Sequence, residues 1–139
     1  MDPTIAPYRP ELFAGIDELW TEAFPEDPPW NRAGVAVPAK MAVQPELFLV
    51  ATIGDRVVGS VMGGYDGHRG WLYTAAVLKS HRGIGIGAKL VREAERQLQL
   101  LGCTKINLQV RSTNASVISF YERLGYGVEE RVSMGRRLA

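Results

Sequence analysis

Apolar residues recur with two different periods along this chain, and the changes of period predict a mixture of helices and strands. Four segments have apolar side chains every three or four positions, as one face of a helix requires. These predicted helices cover residues 12–23, 31–43, 88–101 and 114–124. Short apolar runs bounded by turn residues are typical of strands. The predicted strands cover residues 4–8, 47–53, 57–63, 71–77, 105–110, 126–130 and 132–136.

Prolines and glycines set the ends of these elements. Three prolines between Phe24 and Asn31 end the first helix, and Pro38 weakens the second one. Pro7 limits the first strand to the edge of a sheet. Gly102 follows the last apolar position of the third helix, where a helix commonly stops. The order of elements predicts an α+β protein, with residues 1–139 forming a single domain.

Composition narrows the class of protein without identifying it. The 139 residues are 46% hydrophobic and 22% charged, as in an ordinary globular domain. The net charge of +1 gives no basis for a nucleic-acid partner. No run of about 18 apolar residues exists to span a membrane, and the Met-Asp-Pro start does not resemble a signal peptide. We expect a cytoplasmic protein, either a monomer or a homodimer.

The single cysteine, Cys103, supports that compartment. One cysteine cannot form an internal disulfide framework, and reduced thiols are usual in the cytoplasm. We expect Cys103 to be a small buried hydrophobic residue rather than a reactive thiol.

A glycine-rich stretch, His81-Arg82-Gly83-Ile84-Gly85-Ile86-Gly87-Ala88-Lys89, lies between a predicted strand and a predicted helix. Glycine lets the backbone turn sharply and lets a ligand lie on its amides. The helix that follows begins with unpaired N–H groups, which attract an anion. The spacing matches neither a P-loop nor the dinucleotide motif G-x-G-x-x-G. The stretch therefore predicts a phosphate-binding loop of another kind.

Two motifs together resemble those of the GCN5-related N-acetyltransferase (GNAT) family. Arg82-x-x-Gly85-x-Gly87 is similar to the family's [Q/R]-x-x-G-x-[G/A] signature, which holds the pyrophosphate of acetyl-CoA. The segment from Asn114 to Tyr126, N-A-S-V-I-S-F-Y-E-R-L-G-Y, is similar to the family's second motif. The resemblance covers residues 71–126 best, and the branch that acetylates protein N-termini is the most similar.

This resemblance implies a fold and a co-substrate. The fold is a mostly antiparallel twisted sheet of about six to seven strands, with about four flanking helices and a splayed parallel strand pair at the cofactor site. The co-substrate is acetyl-CoA, and no metal is implied. The implied cofactor-binding residues are Ala75, Ala76, Val77, Arg82, Gly83, Ile84, Gly85, Ile86, Gly87, Asn114 and Tyr121.

Within this set the resemblance implies separate roles. Tyr121 is the implied catalytic residue and assists the departing thiolate of coenzyme A. The main chain of Ala75-Ala76-Val77 is implied to stabilise the oxyanion if the strand carries a bulge, which the sequence does not show. From spacing alone, Tyr121 is more typical of a core position, and only its place in the second motif favours the catalytic role. Asn114 is likewise a suitable helix cap.

This chain differs from the related branch at the general base. That branch places a glutamate where this chain has Gln109. An amide cannot accept a proton at physiological pH. Other residues left open as bases are Glu26, Asp27, Glu129, Glu130, His68 and His81. Trp30 is a candidate for the wall of the acceptor site.

The motifs predict an acetyl-CoA-dependent N-acetyltransferase acting on a primary amine, either a peptide N-terminus or a small amine. The alternative is a non-catalytic acyl-CoA-binding regulatory domain that keeps the loop but has lost its base. A different nucleotide-binding module is disfavoured by the glycine spacing.

Overall fold

A computed structural model describes residues 2–139 of the chain. These residues divide into two compact units, with the boundary between Gln109 and Val110. The first unit holds a five-stranded sheet and three helices. The second unit holds one helix and a following segment without regular secondary structure.

The sheet of the first unit follows chain order. Its strands are β1 (Thr4–Pro7), β2 (Phe48–Ile53), β3 (Arg56–Tyr65), β4 (Gly70–Val77) and β5 (Ile106–Leu108). Strands β1 to β4 are antiparallel neighbours, and β5 pairs in parallel with β4. The parallel ladder joins only Gly70–Leu72 to Ile106–Leu108, whereas β4 continues to Val77. β4 therefore extends past its parallel partner, as expected for a parallel pair that splays apart.

Helices α1 (Phe13–Ala23), α2 (Ala33–Met41) and α3 (Ile86–Leu100) flank this sheet. Gly59 of β3 faces α3, and a Cβ there would lie 2.9 Å from the Leu90 side chain. Only glycine allows α3 to pack so closely on the strand. The next residue, Ser60, points to the opposite face and accepts a hydrogen bond from the indole of Trp20 in α1. The helices α1 and α3 therefore cover opposite faces of the sheet.

The core between these layers is apolar and closely packed. Its largest fully buried side chains are Phe48, Ile16, Leu19, Leu47, Leu49, Met62, Ile86, Leu90, Leu98, Val50, Val58 and Val61. Cys103 is free and buried, which confirms its predicted packing role. Within residues 2–139, none of the helices has the length and apolar character needed to cross a membrane.

The second unit contains α4 (Ala115–Arg123). The side chain of Asn114 caps this helix by accepting a hydrogen bond from the Val117 N–H at 3.3 Å, and Gly125 follows the helix with φ of 100°. The two strands predicted over residues 126–136 are wrong, because the described residues there form no strand. Val128, Val132 and Met134, apolar residues of these two predicted strands, are 81–90% exposed. The sheet therefore has five strands rather than six or seven.

Candidate active site

The glycine loop connects β4 to α3 with two left-handed turns. Gly83 has φ of 79° and Gly85 has φ of 92°, values that other residues adopt only with strain. Gly85 is the N-cap of α3, and no side chain caps that helix end. The first backbone bond of the helix runs from the Lys89 N–H to the Gly85 carbonyl. The N–H groups of the first turn therefore point out of the helix end without an intrahelical partner.

The space over this loop fits an anionic group. A Cβ added at Gly83 or Gly85 would meet no atom within 4 Å, so both positions border open space. Arg82 folds back beside the loop, where its Nε donates to the Val77 carbonyl at 3.0 Å. The exposed amides, the helix end and the guanidinium provide positive electrostatic potential at one place. Ile84 of the same loop is 64% exposed.

A β-bulge at Thr74 and Ala75 interrupts β4 where the predicted Ala75-Ala76-Val77 segment begins. Ser60 pairs with Ala76 and Met62 pairs with Tyr73, so Thr74 and Ala75 together lie opposite Val61. Thr74 has φ of 51°. A β-branched residue in this conformation is a genuine outlier, and bulges of this kind redirect backbone amides out of the ladder.

A buried relay of hydrogen bonds holds this bulge in place. The indole N–H of Trp20 donates to the Ser60 hydroxyl at 2.9 Å, and that hydroxyl donates to the Thr74 carbonyl at 3.2 Å. Ser60 is fully buried and Trp20 is 3% exposed. Because buried hydrogen bonds are costly to break, this relay from Trp20 of α1 fixes the strained Thr74 in β4. The local sequence gives no sign of this contact across 40 positions.

A cleft of about 720 Å³ opens beside the bulge in the first unit. Its walls include the β4 residues Trp71, Leu72, Tyr73 and Thr74, together with Gln109 at the end of β5. The remaining lining residues are Val43, Gln44, Gly64, Tyr65 and Asp66. The cleft is therefore built mainly on strands, which hold side chains more rigidly than loops do.

Both described non-glycine residues with positive φ, Gln44 and Thr74, line this cleft. Gln44 is held by two hydrogen bonds to the backbone of Tyr65: its Nε2 donates to the carbonyl at 3.0 Å, and its Oε1 accepts from the N–H at 2.9 Å. Strained backbone conformations persist only where the surroundings enforce them, and they cluster at functional sites. Their presence on one cleft makes it the candidate functional site of the first unit.

Asp66 places a fixed negative charge at one end of the cleft. Its Oδ1 accepts the backbone N–H groups of His68 at 2.7 Å and Arg69 at 2.6 Å. These bonds, with a further one from the Trp71 indole, hold the pKa of the Asp66 carboxyl below its usual value. The sequence alone did not indicate a functional role for Asp66, because it lies in a polar turn. The turn itself, rich in Asp and Gly, gave a weak signal.

Tyr73 of the cleft wall contacts Lys40, which is not itself a lining residue. Lys40 is 5% exposed, its Nζ donates to the Gly63 carbonyl, and its ammonium lies 5.5 Å from the centre of the Tyr73 ring. Burial lowers the pKa of Lys40, while Glu46 partly offsets the effect. Burial also raises the pKa of Tyr73, although the ring is 41% exposed. A buried cation therefore lies beside the Tyr73 ring, outside the lining of the cleft.

Comparison with known proteins identifies the family. The model of the acetyltransferase (GNAT) family matches residues 11–126. The chain belongs to the GNAT family. An acetyltransferase of Sodalis glossinidius is 43% identical over 132 residues, which cover 94% of this chain and 92% of that protein. The resemblance carried by the two motifs is therefore confirmed.

Solved structures agree with this GNAT assignment. Ard1 from Thermoplasma volcanium superposes with a TM-score of 0.84 at 22% identity and covers 93% of this chain and 85% of its own. The NatC complex bound to Gag peptide and CoA is 26% identical with a TM-score of 0.76, covering 89% of this chain and 84% of that chain. The predicted fold class is confirmed, with the strand count corrected to five.

The predicted candidates for the base do not converge on the cleft of this GNAT protein. Gln109 lines it, in the place where the related branch has a glutamate. Glu26 and Asp27 lie in the loop between α1 and α2 and are not among the lining residues, nor is Trp30, which is 45% exposed. His68 lies in the turn with Asp66, and the Nδ1 atom of His81 lies 2.7 Å from the Ser80 hydroxyl.

The second unit carries the remaining GNAT motif residues. Asn114 is the α4 cap, and Tyr121 lies on α4 at 7% exposure. The Tyr121 ring makes edge contacts with Phe120 and Tyr126, with centroid distances of 5.0 Å and 5.6 Å. Burial raises the pKa of Tyr121 to about 12. Glu129 and Glu130 belong to the irregular segment after α4 and are exposed.

Proposed function

We propose that residues 1–139 form a single N-acetyltransferase domain that transfers the acetyl group of acetyl-CoA to a primary amine, a peptide N-terminus or a small amine. The observation that carries this proposal is the strained bulge at Thr74. It lies in β4, the strand that leads to the glycine loop, and it lines the same cleft as Gln109. Family membership supports the reaction class.

The glycine loop is the proposed pyrophosphate site. The amides of Gly83, Ile84, Gly85, Ile86 and Gly87 would surround the anion, and Arg82 would neutralise part of its charge. Acetyl-CoA supplies an acetyl group activated as a thioester. The open space over Gly83 and Gly85 fits a ligand that lies directly on the main chain. No metal is needed for this role.

The bulge is the proposed oxyanion-stabilising element. Because Thr74 and Ala75 share one partner across the strand, a backbone N–H in Ala75-Ala76-Val77 is available to donate to the thioester carbonyl oxygen. A fixed donor of this kind is worth about 3 kcal/mol in a water-excluded site. The Trp20–Ser60–Thr74 relay keeps the donor from relaxing back into the ladder.

Tyr121 is proposed to assist the departing thiolate as a hydrogen-bond donor. Its pKa of about 12 keeps the phenol protonated at every physiological pH. Complete proton transfer to a thiolate with a pKa near ~8.5 would be uphill by about 5 kcal/mol. The hydrogen bond, rather than full protonation, is therefore its main contribution. Asn114 is proposed to contact the cofactor while it caps α4.

The acceptor's proton is proposed to leave through water. Gln109 cannot take it, and Asp66 is a poor base because its pKa is lowered. The cost then falls on the acceptor. About a tenth of an α-amine with a pKa of ~7.7–8.0 is neutral at pH 7, against roughly one in 2,500 for a free lysine near ~10.4. We therefore propose an α-amine or another low-pKa amine as the acceptor.

The competing function is an acyl-CoA-binding regulator, for which Gln109 is the only support. A thiol-release assay with acetyl-CoA separates the two functions. The acceptor panel should contain alanine- and serine-starting peptides, a small monoamine and a peptide whose N-terminus is blocked but which contains lysine. We expect amine-dependent thiol release with at least one unblocked acceptor. Tight coenzyme A binding without amine-dependent release from any acceptor would assign the regulator function instead.

Cys103 bears on where this enzyme works. Its thiol is buried and free, and its Sγ donates to the Lys105 carbonyl at 3.3 Å. A structural thiol of this kind fits the reducing cytoplasm, which we propose as the compartment.

A further inference from the structure

The cleft has a charge at only one end of its lining. Among the lining residues, all within the described part of the chain, Asp66 alone carries a formal charge. The turn that holds it is rigid, because Oδ1 accepts two backbone N–H groups and the Asp66 N–H itself donates to the Arg69 carbonyl at 3.2 Å. A carboxylate has more acceptor positions than these bonds occupy. Asp66 is therefore a preformed anionic contact for a ligand in the cleft.

The distance from this carboxylate to the proposed reaction centre is set by β4. Asp66 follows Tyr65, which pairs with Gly70 at the start of the strand, and Thr74 lies four residues farther along. At about 3.3 Å per residue this separation is roughly 13 Å. Trp71 and Tyr73, which are 37% and 41% exposed, line the path between the two ends. An acceptor must therefore be extended to reach both.

The two ends of the cleft differ in charge. No lining residue at the Thr74 end carries a formal charge, so nothing in the described lining there favours a protonated amine. At the other end, Asp66 and the face of Trp71 favour a cation. An acceptor with two basic groups therefore binds with its protonated group at Asp66 and presents its less basic amine near Thr74.

We propose that the acceptor carries a second cation, in the form of a Lys or Arg side chain near the third residue of a peptide whose α-amine is acetylated. Three residues of extended peptide span about 7 Å between the first and third Cα atoms, and a long basic side chain covers the remaining distance. This inference rests on the proposed function, since it names the substrate class of the same cleft. A linear diamine of similar length is a smaller ligand that offers the same two groups, an amine to be acetylated and a second cation.

The test compares two amidated peptides, Ala-Ala-Lys-Ala and Ala-Ala-Gln-Ala, with the full-length protein. Affinity is measured calorimetrically in the presence of coenzyme A, and acetylation is measured by mass spectrometry with acetyl-CoA. 1,8-Diaminooctane and 1-aminooctane form a second matched pair. We expect the lysine peptide to bind and react about tenfold better than the glutamine peptide, with the modification on its α-amine. A charge preference seen only with the diamine pair would keep the Asp66 contact but overturn the peptide source.

Asp66→Asn is the decisive variant, because Asn keeps the Oδ1 acceptor for the turn and removes the charge. It should remove the preference while coenzyme A affinity stays unchanged. Asp55→Asn, in the exposed β2–β3 turn, changes the net charge equally and should keep the preference. Raising the salt concentration should reduce the preference of the wild-type protein without any mutation. Equal affinity for the two peptides, or a preference that survives in Asp66→Asn, overturns the inference.

The outcomes separate this inference from the proposed function. Acetylation of both peptides with equal efficiency would leave the transferase intact and remove the role of Asp66. Asp66-dependent binding without acetylation would keep the charge anchor and remove the transferase.

Discussion

Lys40 of α2 makes a cation–π contact with Tyr73 of β4, with its Nζ 5.5 Å from the ring centre. The same Nζ donates a hydrogen bond to the Gly63 carbonyl. The contact joins a helix to two strands at the wall of the cleft. It also buries a lysine at 5% exposure without a carboxylate within ion-pair distance in the described part of the chain. Burying the Lys40 ammonium costs desolvation free energy, so this position is a good one to test by mutation.

Lys40→Met tests that cost through the pH dependence of stability. Burial lowers the folded-state pKa of Lys40, so between that value and the unfolded value near ~10.4 the unfolded chain binds more protons. The stability of the wild-type protein relative to Lys40→Met should therefore rise with pH through this window. Urea unfolding of both proteins from pH 7 to 10.5 measures the difference. Repeating the pair in a Tyr73→Phe background removes the neighbouring phenol, and a flat or falling difference would contradict the assignment.

Thr74→Gly tests the strain at the bulge. A left-handed conformation costs a β-branched residue about 1–2 kcal/mol, whereas glycine in an ordinary strand position costs about 0.5–1 kcal/mol. Thr74→Gly should therefore leave the free energy of unfolding unchanged or raise it slightly. Thr52→Gly in β2, where φ is not positive, should lower it by about 1 kcal/mol. Chemical denaturation gives both values, and equal losses at the two sites would show that Thr74 is unstrained.

Gly85→Asp tests the phosphate site against a control with the same backbone geometry. Gly85 and Gly102 have φ of 92° and 94°, and a Cβ at either would meet no atom within 4 Å. They lie at opposite ends of α3, roughly 25 Å apart at about 1.5 Å per residue. Both Asp variants should lose stability through the left-handed backbone, and Gly102→Asp should lose more, because its carboxylate lies at the negative end of the helix dipole. Only Gly85→Asp should lose coenzyme A affinity, by about 100-fold or more, because its carboxylate repels the pyrophosphate.

The calorimetric titration should include Gly85→Asn, which adds a side chain of the same size without charge. We expect an intermediate affinity for this variant. Unchanged binding in a folded Gly85→Asp protein would remove the basis for the cofactor site.

Tyr121→Phe should lower kcat by about 100-fold, because the ring contacts with Phe120 and Tyr126 remain and only the hydroxyl is lost. Thermal melting at neutral pH should change little. Tyr126→Phe is the matched control and should retain kcat. Near-normal turnover in Tyr121→Phe would leave Tyr121 with a packing role alone.

The same variant has a second, independent signature at high pH. An unfolded tyrosine ionises near ~10, whereas Tyr121 in the folded protein does so at about 12. Stability from this group is fully present below pH 10 and is lost as the pH rises toward 12, by roughly 2–3 kcal/mol at the limit. Tyr121→Phe should lack this part of the alkaline loss. An identical alkaline loss in both proteins would contradict the raised pKa.

Gln109→Glu tests the missing base. If the geometry of the related branch holds here, a carboxylate in the cleft should raise kcat/KM near pH 7 several-fold and add an inflection to the pH profile. In the wild-type protein, kcat/KM should rise with pH until the acceptor amine itself is deprotonated. Gln99→Glu, on the exposed side of α3, is the control. Efficient acetylation of a free lysine at pH 7, or an inflection near pH 6 independent of the acceptor, would reveal a base elsewhere.

Local sequence determined the elements whose causes lie within a few residues. The amphipathic pattern of α3, the glycines before it and the Asn114 cap were all predicted and found, because each depends on neighbours in the chain. The family motifs lie in these same segments. The short apolar runs over residues 126–136 also predicted strands, where the structure has none. Such a run shows that a segment is able to pair, but a partner strand must also be present.

Only the tertiary structure decided the substrate cleft. The left-handed Thr74 depends on Ser60 and Trp20, which are 14 and up to 54 positions away and show no local pattern. Lys40 is buried because Gly63 and Tyr73 surround its ammonium, and composition would place any lysine at the surface. Asp66 reads as a turn residue until the fold places it on a cleft with Trp71 and Gln109. The proposed pyrophosphate loop is encoded by consecutive residues. The proposed acceptor cleft is assembled by packing from β3, β4, the segment after α2 and the residue after β5.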